Sequence, residues 1–217
     1  MVRRRRRVVL ATNNAHKVAE LTRILAVTGA ARAVELVSLA DYPGAPDVAE
    51  TGRTFEENAL LKARAIAAFT GLPAVADDSG LCVDALNGMP GVLSARWAGG
   101  HGDDAANLAL VLAQLADIPV ERRGARFVCA AALVLPAAAA RQAGQPAAER
   151  TVTGELAGSL TTAPRGSHGF GYDPIFVPEG DTRTTAELAS AEKDAISHRG
   201  RAFRALALVI ADIFPPL

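Results

Sequence analysis

The stretch Asp77-Asp78-Ser79-Gly80 sets two carboxylates side by side, between the short apolar run Leu72 to Ala76 and a second one, Leu81 to Val83. Adjacent carboxylates repel, and a divalent cation relieves that cost. On a strand, neighbouring side chains point to opposite faces, so one Asp can face a cleft while the other holds the loop. The first run is expected to end or turn at the pair, with Gly80 allowing a sharp bend; Asp, Ser and Gly together also make ordinary surface turns. Lysine usage is a second pointer. Of 23 basic residues only Lys17, Lys62 and Lys193 are lysine. An ammonium is a compact point charge that suits phosphate, and the broad Arg fork does not replace it there. A third cluster is Gly166-Ser167-His168-Gly169-Phe170-Gly171-Tyr172-Asp173-Pro174. Its glycines admit close backbone approach, its rings can stack on a base, and Asp173 offers an acceptor. Glu50 adds a carboxylate, and His198 and Arg199 stand before the last apolar helix, where anions are favoured. The inventory suits a polyphosphate, magnesium and a planar heterocycle. No Cys–His or Ser–His–Asp nucleophile system is legible. Metal-activated water attacking phosphorus remains, so the residues point to magnesium-dependent hydrolysis or transfer on a nucleotide.

Those groups are scattered along the chain, so folding must assemble them. Val8 to Ala11 reads as a buried strand and Thr12-Asn13-Asn14 as the turn after it. Val18, Leu21, Ile24 and Leu25 recur at helical spacing over Lys17 to Val27. A helix start there would attract an anion, with Asn side chains and Lys17 as added donors, although the glycines of a P-loop are missing. Val34 to Leu39 reads as a strand and Asp41 to Gly52 as a loop. Thr54 and Glu57 form a capping box for a helix running to Phe69, on which Asn58 and Lys62 share a face. Ser94 to Gly100 reads as polar and flexible, and Asp103 or Asp104 as the cap of a helix through Leu115. Ala125 to Leu135 is the strongest strand, Arg141 to Ala148 a hairpin turn, and Thr151 to Leu156 the returning strand, which makes an antiparallel component. Ile175 to Val177 is a strand, Thr185 to Lys193 a short helix, and the last helix begins at Arg201.

The 217 residues are half hydrophobic with zero formal net charge, which suits one substantial globular domain, or one with two lobes, and excludes a disordered chain. Cys82 and Cys129 lie in apolar runs without zinc-type spacing and read as buried reduced thiols. The apolar segment after Arg3–Arg7 is too short for a signal peptide, and no run reaches membrane-spanning length. The expected location is the cytoplasm. The basic residues Arg3–Arg7 could meet nucleic acid or an acidic membrane surface, but a solvated extension is the preferred reading, with neither partner expected.

Taken together, the motifs resemble the inosine/xanthosine triphosphate pyrophosphatases, the Ham1-like family that removes noncanonical purine nucleotides. The matching stretches are Leu10 to Lys17, Glu50-Thr51-Gly52, Phe55 to Ala63, Ala76 to Leu81, Pro90-Gly91-Val92, Ser94-Ala95-Arg96, Gly169 to Phe176, Glu192-Lys193 and Ile196 to Gly200. They follow one another in family order from Val8 to about Ala211. The resemblance implies an α/β fold with a long mixed central sheet flanked by helices and two lobes with the active-site cleft between them. Residues 1–7 would be a basic extension and 8–217 a single two-lobed domain. It implies a homodimer, Mg2+, and cleavage of ITP, dITP or XTP to monophosphate and pyrophosphate. Thr12, Asn13, Asn14 and Lys17 would hold the triphosphate, with Lys62 assisting and Ser79 touching phosphate. Glu50 and Asp78 would hold magnesium, and Asp78 would activate water. Phe170, Gly171, Tyr172, Asp173, Lys193, His198 and Arg199 would bind the base and orient the nucleotide. Two alternatives are a related hydrolase of modified pyrimidine nucleotides, which the Phe170 loop disfavours, and a non-hydrolytic nucleotide sensor, which the carboxylates disfavour.

Overall fold

Val8, Val9 and Leu10 are fully or almost fully buried at the heart of the first strand, as an apolar run in a parallel sheet should be. The computed structural model describes residues 5–12, 17–19, 22, 23 and 34–214. Strand β1 is Arg6–Leu10, β2 is Val34–Ser38, β3 is Ala74–Val83, β4 is Gly124–Leu135, β5 is Ala148–Leu160 and β6 is Phe176–Pro178. They form one sheet in the order β2-β1-β3-β4-β5-β6. β1 pairs in parallel with both β2 and β3, while β5 and β6 are antiparallel, so the sheet is mixed. Helices α1 (Phe55–Thr70), α2 (Asp104–Gln114), α3 (Ala137–Ala143), α4 (Ser190–Ile196) and α5 (His198–Ile213) flank it. The architecture is α/β, as expected.

The chain divides into two compact units, Met1–Asp78 with Ala130–Gly154 and Arg199–Leu217, and Ser79–Cys129 with Glu155–His198. Strands β3, β4 and β5 contribute residues to both. In the first unit α1 buries Phe55, Ala59, Ala63, Ile66 and Ala67, a stripe at helical spacing. Its N-terminus is closed by Thr54 Oγ1, which accepts from the Glu57 amide at 3.2 Å, and Gly71 ends it in the left-handed conformation. Glu57 does not close the expected box on Thr54: its carboxylate accepts from the Arg53 amide at 2.6 Å, one residue earlier. In the second unit Leu81, Val83, Val111, Leu115, Phe127, Leu156, Leu160, Tyr172, Ile175 and Phe176 pack into one apolar cluster. The buried Arg123 guanidinium donates to the carbonyls of Leu115, Ile118 and Thr161, closing the C-terminal end of α2.

Several expectations are corrected. The segment 141–148 is not a bare turn, because α3 occupies most of the link between β4 and β5. Helix α4 starts at Ser190 rather than Thr185, and α5 starts at His198, so His198 and Arg199 are helical residues rather than an approach to the helix. Ser94 to Gly100 is not loose: 91–96 forms 3-10 turns, Trp97 Nε1 donates to Gln114 at 2.9 Å, and the Ala98 amide donates to the buried Asn107 at 2.7 Å. Arg6 and Arg7 belong to β1 rather than to an extension. Arg6 donates to the Gln142 carbonyl and lies over Phe214, and Arg7 donates to the Tyr42 hydroxyl. Cys82 and Cys129 are both buried. Residues 17–19, 22 and 23 are helical; Asn13, Asn14 and the rest of the helix expected to Val27 lie outside the described residues, as do Arg3 and Arg4. No helix among the described residues is long and apolar enough to cross a membrane.

Candidate active site

Strand β3 does not end at the acidic pair. It runs through Asp77 and Asp78 to Val83, and every residue from Ala74 to Val83 except Ser79 is buried. Gly80 therefore does not serve a bend. A β-carbon there would stand 2.3 Å from Ser94 Oγ and 2.5 Å from the Gly91 carbonyl, so Gly80 lets the 91–94 turn press against the strand. Ser94 Oγ fills that space, accepting from the Leu81 amide at 2.9 Å and donating to the Gly91 carbonyl at 2.6 Å.

The two carboxylates have different partners, as the period of a strand requires. Asp77 Oδ2 lies 3.0 Å from Lys17 Nζ and 3.4 Å from Arg199 Nε. Burial alone would push its carboxyl up, but Lys17, Arg199 and Lys62 outweigh burial and hold it well below the usual carboxylate range. Asp77 is thus a fixed anion. Asp78 Oδ2 accepts from Asn58 Nδ2 at 2.9 Å, and Oδ1 lies 3.7 Å from Lys62 Nζ. Here burial prevails: it raises the Asp78 carboxyl, with Glu50 adding to the rise and Lys62 and Asn58 opposing it. Lys62 Nζ also lies 2.7 Å from Glu50 Oε1. Burial lowers the Lys62 ammonium, but Asp78, Asp77 and Glu50 together raise it, so it stays charged.

Local sequence explains this arrangement. Asn58 and Lys62 are one turn apart on α1, so both reach the same strand residue. Asn58 works twice: its Oδ1 accepts from the Gly52 amide at 2.7 Å, drawing the loop that carries Glu50 to the helix. A β-carbon at Gly52 would come within 2.6 Å of that same oxygen, so the close approach needs glycine. Asn58 was legible only as a helix-face neighbour of Lys62; its complete burial, with a hydrogen bond to Asp78, makes it part of the site.

The donor chemistry fits magnesium. Among the described residues no group of three or more His, Cys, Asp or Glu gathers as an all-protein cage. Magnesium does not need one, since it binds through one or two carboxylates with waters and substrate phosphates. Glu50 and Asp78 both lie against the Lys62 ammonium, so they already share one cation, and the raised Asp78 carboxyl is the kind of desolvated acid that a cation relieves.

In the second unit Asp173 organises the glycine-aromatic segment. Its Oδ2 accepts from the Phe170 amide at 2.8 Å and from Lys193 Nζ at 2.5 Å, and its Oδ1 accepts from Thr185 Oγ1 at 2.8 Å. Lys193 Nζ also stands 5.2 Å from the centre of the Phe170 ring. Phe170 is half-buried and keeps an accessible face, whereas Tyr172 is buried in the apolar cluster with its hydroxyl donating to the Ser94 carbonyl at 2.9 Å. Of the two rings expected to stack on a base, Phe170 keeps an accessible face and Tyr172 does not. His198 stacks on Phe127 at 4.8 Å and is buried. Ser94 and Asp104, whose carboxylate accepts from the Gly171 amide at 2.8 Å, gave no sequence signal beyond a motif and a helix cap.

This architecture and acidic site agree with what the chain resembles. A model of the Ham1 family matches residues 8–209. The chain is 61% identical over 207 residues to a dITP/XTP pyrophosphatase of Streptomyces coelicolor, covering 95% of this chain and 98% of that one. It is 55% identical over 200 residues to a dITP/XTP pyrophosphatase of Mycobacterium tuberculosis, covering 92% and 93%. A crystal structure of a nucleoside-triphosphatase, dITP/XTP pyrophosphatase, from Mycobacterium abscessus superposes with a TM-score of 0.72 at 58% identity, covering 92% and 98%. A Ham1 protein from Coxiella burnetii gives 0.81 at 40% identity, covering 95% and 99%. The chain belongs to the Ham1 family.

Proposed function

We infer that this chain is a nucleoside triphosphate pyrophosphatase that hydrolyses noncanonical purine nucleotides, dITP, ITP and XTP, to the monophosphate and pyrophosphate. The observation that carries the reading is the buried Asp78 held by Asn58 and Lys62, with Glu50 on the same ammonium, in a chain so similar to dITP/XTP pyrophosphatases.

Asp78 is the proton acceptor for the attacking water. A carboxylate whose carboxyl is raised by burial is a stronger base than an ordinary one. Asn58 fixes its orientation through Oδ2, which leaves Oδ1 on the side of Lys62. Glu50 and Asp78 would hold Mg2+, which when bound would supply charge neutralisation on the phosphates and activate the attacking water. Lys62 and Lys17 give the triphosphate two ammonium groups, with Thr12, Asn13, Asn14 and Ser79 as hydrogen-bonding groups. Asp77 keeps Lys17 and Arg199 in place as a fixed anion. Phe170 stacks on the base, and Asp173, with Lys193, sets the turn that carries Phe170. Gly171, Tyr172, His198 and Arg199 complete the base and nucleotide contacts. The protein acts as a homodimer in the cytoplasm, as the family resemblance suggests.

Incubation with dITP or XTP and Mg2+, with product identification, tests the reading. Monophosphate and pyrophosphate are expected. Diphosphate with inorganic phosphate would contradict it, as would equally fast turnover of a modified pyrimidine triphosphate.

A further inference from the structure

Besides Thr185 and Lys193, which hold Asp173, two groups from earlier in the chain help tie down the turn that carries Phe170. One is the Ser94 carbonyl, which accepts from the buried Tyr172 hydroxyl. The other is Asp104, in the first turn of α2, whose Oδ2 accepts from the Gly171 amide at 2.8 Å across 67 residues of sequence. Asp104 is not needed to start the helix, because Asp103 caps it by accepting from the Ala106 amide at 3.0 Å. Nor does it make an ion pair among the described residues. Within the turn the Phe170 amide is spent on Asp173 and the Gly171 amide on Asp104. The Tyr172 amide has no protein acceptor among the described residues.

We propose that Asp104 is a positioning residue for purine recognition, an inference that rests on the function proposed above. By holding the Gly171 N–H it fixes the peptide planes of the turn on either side of Gly171. The Phe170 ring then keeps one attitude toward the base, and the Tyr172 N–H is offered as a donor for a carbonyl oxygen on the base edge. A charged acceptor holds an amide more firmly than a neutral one, which suits a glycine turn that would otherwise sample several conformations. Asp104 touches no reacting atom, so its effect falls on binding and on the choice of base rather than on the chemical step.

The test compares the parent with Asp104→Ala and Asp104→Asn, using ITP and ATP as substrates and pyrophosphate release as readout. Alanine removes the acceptor and asparagine restores a neutral one. For ITP, Asp104→Ala is expected to raise KM about tenfold, the weight of one lost hydrogen bond, with kcat within about twofold. The preference for ITP over ATP narrows, and Asp104→Asn recovers most of the loss. Thermal unfolding stays near the parent because Asp103 remains, and if it does not, amide exchange at Gly171 in Asp104→Asn serves instead, with exchange as slow as in the parent expected. A KM and a base preference in Asp104→Ala equal to the parent's would overturn the inference while leaving the pyrophosphatase intact, as would Gly171 exchange in Asp104→Asn as fast as in an unstructured loop. A parent that releases no pyrophosphate from ITP would overturn both.

Discussion

Asp77 and Asp78 share a peptide bond and divide the basic residues around them: Asp77 Oδ2 holds Lys17 and Arg199, and Asp78 meets Lys62 and Asn58. Strand alternation separates the two carboxylates, and their settings give them opposite titration behaviour, one held low by cations and the other raised by burial. Asp77 is set as an anchor, and Asp78 is the proposed base.

The base role predicts that Asp78→Asn keeps the fold and loses roughly a hundredfold or more in kcat, the usual weight of a positioned general base. An amide still occupies the space beside Asn58 and Lys62 but accepts no proton from water. Steady-state kinetics at saturating magnesium, beside a melting curve, check this. Turnover near the parent's would remove Asp78 from the chemistry.

The anchor role predicts a loss of stability in Asp77→Asn that depends on pH. The folded pKa of Asp77 lies below its unfolded value, about 3.9, so its contribution is complete above that unfolded value and is lost progressively as pH falls from there through the folded value. At pH 7 the variant withdraws one buried negative charge from Lys17 and the buried Arg199, a cost of about 3 kcal/mol. Denaturant titrations should show that gap at pH 7 and a smaller one at pH 3, where Asp77 of the unfolded parent takes up a proton that the folded parent still excludes. A gap that widens on acidification would contradict the assignment.

The role proposed for Glu50 runs through the cation. Glu50→Gln removes one negative charge from the pair that flanks Lys62, so the magnesium concentration for half-maximal activity should rise by roughly an order of magnitude while turnover at saturation suffers less. An unchanged magnesium titration would place Glu50 outside the metal site.

The two aromatic residues of the base segment should separate cleanly. Tyr172→Phe removes a buried hydroxyl from the Ser94 carbonyl and should cost about 1 kcal/mol of stability with KM for ITP nearly unchanged. Phe170→Ala should leave stability almost untouched and raise KM roughly tenfold, the scale of one lost stack on a base. The reverse pattern would mean that the Tyr172 ring, not the Phe170 ring, stacks on the nucleotide.

Much of this was legible in the sequence because local chemistry wrote it there. The Thr54 cap, the alanine-rich stripe of α1 and the apolar run of β4 are short-range signals, and the structure keeps them. The separation of Asp77 from Asp78 followed from strand period once the strand was recognised. What misled was the turn-forming composition of Asp77 to Gly80. The acidic pair there meets cations and Gly80 admits the Ser94 turn, so tertiary packing overrode local propensity. Tyr172 and Phe170 could not be told apart because a ring two residues from another gives no sign of which one the core will take. Asn58 and Asp104 were hidden for a related reason: each acts through a partner, 20 and 67 residues away respectively, and no local pattern marks such a pair.

The choice of base is the centre of the account. Hypoxanthine and xanthine carry a C6 oxygen that accepts from a donor, adenine carries an amino group that does not, and guanine adds a C2 amino group that must find space and a partner. One unpaired buried polar group costs about 1–3 kcal/mol, so each mismatch is worth roughly ten- to a hundredfold. The most direct measurement is kcat/KM for ITP, XTP, GTP and ATP in one assay of pyrophosphate release at fixed magnesium. The account predicts high and similar values for ITP and XTP, with GTP and ATP lower by about tenfold or more. Comparable values for ATP and ITP would contradict it.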